Sequence, residues 1–92
     1  MKIANRNARK FVQERKPFKA NNLFGAQDGN LYVVYSYGHH WPLFVCSDCG
    51  FWYENISKYS VTTSKHKSQS NPLMNTIPMH VEALKTFIEQ NR

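Results

Sequence analysis

The chain has 92 residues and a formal charge of +6, with twelve Lys and Arg against six Asp and Glu. Its 41% apolar content is that of an ordinary globular domain. The length allows one modest core and excludes a two-domain enzyme with its own lid. The composition also excludes a disordered acidic tail, a collagen-like chain and a disulfide-dense toxin.

The charge is unevenly placed. Residues 1–19 hold Lys2, Arg6, Arg9, Lys10, Arg15, Lys16 and Lys19 against Glu14 alone, which accounts for the whole +6. Residues 20–92 balance Lys58, Lys65, Lys67, Lys85 and Arg92 against Asp28, Asp48, Glu54, Glu82 and Glu89. Ala4, Ala8, Phe11 and Val12 stand at i, i+4, i+7 and i+8, the spacing of one helix face, so the pattern predicts a basic helix over 4–15. Pro17 ends it, because the residue before a proline is pushed out of helical geometry. Arg6, Arg9, Lys10, Arg15, Lys16 and Lys19 become candidate phosphate contacts, since a one-sided positive field attracts polyanions such as nucleic acid.

Residues 1–20 hold no apolar run of the secretory kind, and no window reaches the roughly 18 apolar residues of a membrane span. A cytosolic setting is expected, in which Cys46 and Cys49 stay as thiols.

Beyond Phe18 the texture turns aromatic and β-branched. Gln27-Asp28-Gly29-Asn30 marks a turn, Leu31–Tyr37 an apolar strand, and Gly38–Trp41 a second turn. Pro42–Cys46 reads as the next strand, Ser47–Gly50 as a tight turn and Phe51–Glu54 as its continuation. Tyr59, Val61 and Thr63 alternate, predicting a last strand within Ile56–Ser64. Turns about every ten residues favour an antiparallel meander of four or five strands across 20–64. Residues 65–76 read as a polar loop. Thr76 is the expected N-cap of a helix over 77–90, with Pro78 in its first turn and Ile77, Val81, Leu84 and Ile88 along one stripe. The expected architecture is a single α+β domain: basic helix, meander, and an amphipathic helix over one sheet face.

Three constellations bear on chemistry. Cys46-Ser-Asp-Cys49 supplies half of a zinc ligand set, with no partner pair at the usual spacing and no βαβ context for a redox motif. His39-His40-Trp41-Pro42, with Asn55 and then His66 or His80, resembles the spacing of HNH nucleases, but Gly38 stands where that family carries its acidic metal ligand. There is no phosphate-binding glycine loop and no nucleophile elbow. The Ser60–Ser70 stretch presents hydroxyls with Lys65, His66 and Lys67, groups that hydrogen-bond phosphate oxygens, and Lys58 and Tyr59 flank it. The aromatic set Tyr32, Tyr35, Tyr37, Phe44, Trp52 and Tyr53 exceeds what one face of a small sheet buries, which predicts surface aromatics suited to a protein interface. No metal, other cofactor or small-molecule substrate is expected.

The run from Tyr32 to Gly38 followed by His40-Trp-Pro42, and the run from Lys58 to His66 with Ser68-Gln69, look like small bacteriophage proteins. Over its whole length the chain resembles phage-encoded type I-F anti-CRISPR proteins. Such proteins share no common motif, so the resemblance rests on whole-chain likeness, and the Cys pair adds nothing to it. The resemblance implies a stoichiometric inhibitor without catalysis, acting in the host bacterial cytoplasm. Its partner would be the crRNA-guided surveillance complex (Csy, the type I-F Cascade), and its effect a block of target-DNA hybridisation. A +6 arm argues against DNA mimicry and fits contact with crRNA or with acidic patches on the backbone subunits. The alternative functions are a phage nucleic-acid-binding regulator and, ranked after it, an HNH-like nuclease.

Overall fold

Residues 2–58 and 61–92 are described by the computed structural model. One six-stranded sheet runs through the molecule in chain order: β1 (Phe18–Ala20), β2 (Leu23–Asp28), β3 (Leu31–Ser36), β4 (Pro42–Cys46), β5 (Trp52–Asn55) and β6 (Thr76–Met79). The first five strands are antiparallel neighbours, and β6 lies parallel to β5. Three helices accompany them: α1 (Ala8–Gln13), α2 (Val61–Ser70) and α3 (Val81–Asn91). The α+β class and the order helix, meander, helix agree with the sequence reading, while the strand count and the chain between β5 and α3 do not.

Alternation decides which side chains meet which layer. Leu23, Tyr32, Val34, Phe44, Cys46 and Trp52 face α1, with its buried Ala8 and Val12. Leu31, Val33, Tyr35 and Val45 face α3, with its buried Leu84 and Ile88. Every residue of β3 and β4 is therefore buried. Covering both faces narrows the expected surface aromatics to Tyr37 and half-buried Tyr53. Tyr32, Tyr35, Phe44 and Trp52 are core residues, and only Tyr37 of the six is largely exposed, at 46%.

The basic helix is shorter than its pattern. A 3₁₀ turn at Asn5–Asn7 leads into α1, which stops at Gln13. It closes with the Arg15 N–H bonded to the Val12 carbonyl and the Lys16 N–H to the Phe11 carbonyl, a Schellman stop. Arg15 holds φ +54° at the position where glycine is usual. The Tyr32 hydroxyl donates to the Lys16 carbonyl at 2.8 Å and pins this stop to the sheet.

The Ile56–Ser64 strand and the polar loop over 65–76 are both overturned. Tyr59 and Ser60 lie outside the described residues, and from Val61 the chain is helical. The face of α2 is polar: Thr63, His66 and Ser70 are its buried residues, spaced i, i+3 and i+7. Arg9 donates to the Ser68 and Asn71 carbonyls at 2.7 and 2.8 Å, and Gln13 to the Pro72 carbonyl at 3.0 Å, so side chains from α1 satisfy the C-terminal carbonyls of α2.

The 77–90 helix starts later than expected. Residues 76–79 form β6, and the Thr76 hydroxyl donates to Glu54 rather than capping a helix. The Ile56 N–H bonds to the Met79 carbonyl, so the polar groups of Met79 face β5, and alternation turns Pro78 toward the open edge, where it interrupts no ladder. His80 is the N-cap residue of α3, and Ser57 Oγ accepts the Val81 N–H at 3.0 Å.

Candidate nucleic-acid interface

The chain start is tied along the outer flank of β1. Lys2 bridges Lys19 in parallel, and the Ile3 N–H donates to the Lys19 carbonyl at 2.8 Å. Asn5 and Asn21 exchange two hydrogen bonds, at 2.8 and 3.1 Å. These links fix Lys2, Arg6, Lys10 and Lys19 around one sheet edge, and all four are exposed. Ile3, Arg6, Asn7, Arg9, Lys10, Phe11 and Gln13 line an open recess beside α1 of about 610 Å³. A second recess beside β1 is lined by Lys2, Lys19, Asn21, Asn22, Phe24 and Tyr37. Each recess therefore joins cations to amide side chains and an aromatic ring, the mixture that suits phosphates and unstacked bases.

Not every candidate cation is free to bind there. Arg9 lines the α1 recess but spends its guanidinium on the end of α2. The Arg15 guanidinium lies 3.9 Å from the Cys46 sulfur, beside a different recess. Lys16 is exposed and pairs with exposed Glu14 at 3.1 Å, a contact of little energetic weight. Lys67 pairs with Glu54 at 2.7 Å. Burial raises the Glu54 carboxyl's pKa, but hydrogen bonds from Lys67 and Thr76 more than offset this and leave it below its ordinary value. Lys58 and Lys65 are exposed, Lys58 lining a groove shared with Glu54. Tyr59 lies outside the described residues.

His66 is the clearest correction to the candidate set. Only 4% exposed, it shares a 2.8 Å hydrogen bond between Nδ1 and the Ser36 hydroxyl and packs against the Tyr37 ring at 5.4 Å. It fastens α2 to β3 and has no surface to offer a phosphate. Burial lowers its pKa below 6.5, and neighbouring Lys65 lowers it further. The unfolded chain therefore takes up a proton that the folded one resists. Stability carried by neutral His66 is present above pH 6.5 and is lost as the pH falls from there through the folded pKa. Thermal melts should show the midpoint falling on acidification below pH 6.5, and the fall should be smaller in His66→Gln.

The residues of the nuclease-like pattern are not brought together. His39 sits in the β3–β4 turn against Phe24 and Tyr35, on the α3 side of the sheet. Asn55 is buried, donating to the Pro42 carbonyl at 2.7 Å and accepting from the Ser57 N–H at 2.8 Å. His66 lies with α2, and His80 borders α3. Cys46 is buried in β4, and Cys49 is exposed in the following turn, where a hydrogen bond from its thiol to Asp48 raises its pKa. The described residues contain no group of three or more His, Cys, Asp or Glu side chains placed to share a metal ion.

Asn5, Asn21 and Asn22, and the division of the lysines and arginines between surface and capping roles, escaped the sequence reading. The asparagines gave no periodic signal, and Arg9 is indistinguishable from Arg6 until α2 is known to end beside it. No helix among the described residues is long and apolar enough to cross a membrane. No family model matches the chain, and no curated protein or solved structure is significantly similar to it.

Proposed function

We propose that this protein is a stoichiometric inhibitor of the type I-F crRNA-guided surveillance complex, working in the host bacterial cytoplasm without catalysis. It seats its cationic edge on guide-RNA phosphates and adjoining subunits, so that target DNA cannot pair with the guide. The observation that carries the reading is the segregation of charge. Among the described residues, Lys2, Arg6, Lys10 and Lys19 gather on the β1 edge with no carboxylate paired to them, while two of the body's five acids, Asp28 and Glu54, are engaged by Arg92 and Lys67. The likeness of the Tyr32–Pro42 and Lys58–Gln69 runs to type I-F anti-CRISPR proteins supplies the partner. Guide bases meet target DNA along a channel built to hold nucleic acid, so a protein lodged on its phosphates excludes pairing without reading sequence.

The test is a titration of purified, crRNA-loaded type I-F complex. Target-DNA binding should fall to zero at a fixed molar ratio, and the protein should leave the complex as salt rises. A second reading, a phage regulator that binds free nucleic acid, is favoured by the same two recesses. It predicts a shift of free single-stranded RNA or DNA at concentrations that leave the surveillance complex fully active.

A further inference from the structure

The recess beside β1 is equipped for more than phosphate. About 260 Å³ in volume, it is lined by Lys2, Lys19, Asn21, Asn22, Phe24 and Tyr37 among others, and by no acidic residue. Sites that enclose a whole small molecule run to roughly 300–1,000 Å³, so this one suits a single ring of a longer ligand. Tyr37 is 46% exposed. Its ring packs on His66, with centroids 5.4 Å apart, and His66 is itself buried and bonded to the Ser36 hydroxyl at 2.8 Å. A fixed neighbour therefore steadies the ring while nearly half of the residue faces solvent. Tyr37 also takes φ +68°, a left-handed conformation that strains a tyrosine and not a glycine. Asn22, whose carbonyl accepts the Tyr37 N–H at 2.9 Å, takes φ +56°. The chain accepts strain to hold an aromatic ring at this spot. Asn21 and Asn22 are exposed, and their side-chain amides take no hydrogen bond among the described residues. Each offers donors and an acceptor.

We propose that this recess binds one unpaired nucleotide of a single strand. The base stacks on Tyr37, the Asn21 and Asn22 amides meet its hydrogen-bonding edge, and Lys2 and Lys19 hold the flanking phosphates. Stacking tolerates any sequence, because every base has a π face. A base inside a duplex is already stacked and paired, so the recess selects single strands. Phosphate density alone favours the opposite, since a duplex carries about twice the charge per unit length. This strand selectivity rests on the proposed seating of the β1 edge on phosphates, and adds a preference that charge does not supply.

The experiment is a fluorescence-anisotropy titration of the full chain against a short labelled RNA, DNA of the same sequence and the DNA duplex, at several salt concentrations. Both single strands should bind more tightly than the duplex, and the tighter of the two identifies the source. Tyr37→Gly removes the ring and suits the left-handed backbone, so the fold is kept, checked by circular dichroism. It should weaken single-strand binding by roughly 5- to 150-fold, the effect of losing one stacked base, and leave the salt slope unchanged. Tyr37→Trp should bind like the parent. Lys2→Glu/Lys19→Glu should instead flatten the slope on single strands and duplex alike. A duplex bound as tightly as the single strands, or Tyr37→Gly binding RNA like the parent, would overturn the proposal. Either result keeps salt-dependent binding and so leaves the phosphate reading standing. Absence of salt-dependent binding to all three probes would overturn both.

Discussion

Gly25→Ala is expected to be the most destabilising single-methyl change in this protein. Gly25 needs no unusual backbone angle; it is required because other atoms occupy the space of a side chain. A Cβ there would stand 2.6 Å from Cε1 of Phe18 and closer still to the Tyr32 hydroxyl. Neither neighbour is free to retreat. Phe18 is buried in β1 and pairs with Gly25 across the ladder. Tyr32 is fixed by its bond to the Lys16 carbonyl, and burial, followed by nearby Cys46, raises its pKa and keeps the phenol a neutral donor. Pushing the phenol away would release the stop that orients residues 14–17. Overpacking of this kind costs about 2–3 kcal/mol. In a domain of this size that lowers the melting temperature by roughly 10–20 °C. Adding Phe18→Leu should recover part of the loss, because it removes the ring that the methyl meets. Equal melting temperatures for Gly25→Ala and the parent chain would show that β1 and β2 can separate to admit a methyl group.

The second large effect is expected from Arg6→Glu/Lys10→Glu/Lys19→Glu. The three side chains are exposed and form no ion pair among the described residues, so thermal stability should stay close to the parent's. Affinity for a phosphate backbone should fall steeply. Removing three phosphate-binding cations reduces the log–log salt slope by about 2 on single strands and about 3 on duplex. Arg9→Ala is the matched opposite. It removes two charge-assisted hydrogen bonds to the end of α2 and should cost about 2 kcal/mol in stability. Its effect on the salt slope should be near zero. Gel-shift titrations at several salt concentrations, paired with melts, separate the two variants. If Arg9→Ala flattens the slope as much as the triple variant does, the assignment of Arg9 to capping is wrong.

Much of the meander was legible in the sequence because its signals are local. Asp28-Gly29-Asn30 sets the β2–β3 turn, where Gly29 takes φ +62°, and the apolar run of β3 marks a strand, although its burial on both faces went unread. The region after β5 was not legible, because tertiary contacts override its local preference. Val-Thr-Thr-Ser at the head of α2 has strand-like propensity, and the helix is held by polar contacts from elsewhere: Ser36 on His66, Arg9 and Gln13 on its closing carbonyls. The 63, 66, 70 spacing was in the sequence, but Thr, His and Ser do not register as a helix face when apolarity is the criterion. β6 was hidden for a related reason. Four residues with a central proline read as the start of α3, and only the parallel pairing with β5 makes them a strand. The site was half legible: the location of the charge in residues 1–19 was plain, whereas its division into surface-facing Arg6 and Lys10 and structural Arg9 depends on where α2 ends.

The decisive measurement is target-DNA binding by purified crRNA-loaded type I-F complex as this protein is titrated in. If the cationic edge blocks the guide, target binding falls stoichiometrically with the parent chain and with variants that keep Arg6, Lys10 and Lys19. It stays complete in the presence of Arg6→Glu/Lys10→Glu/Lys19→Glu. Undiminished target binding with the parent protein in excess would contradict the inhibitor role.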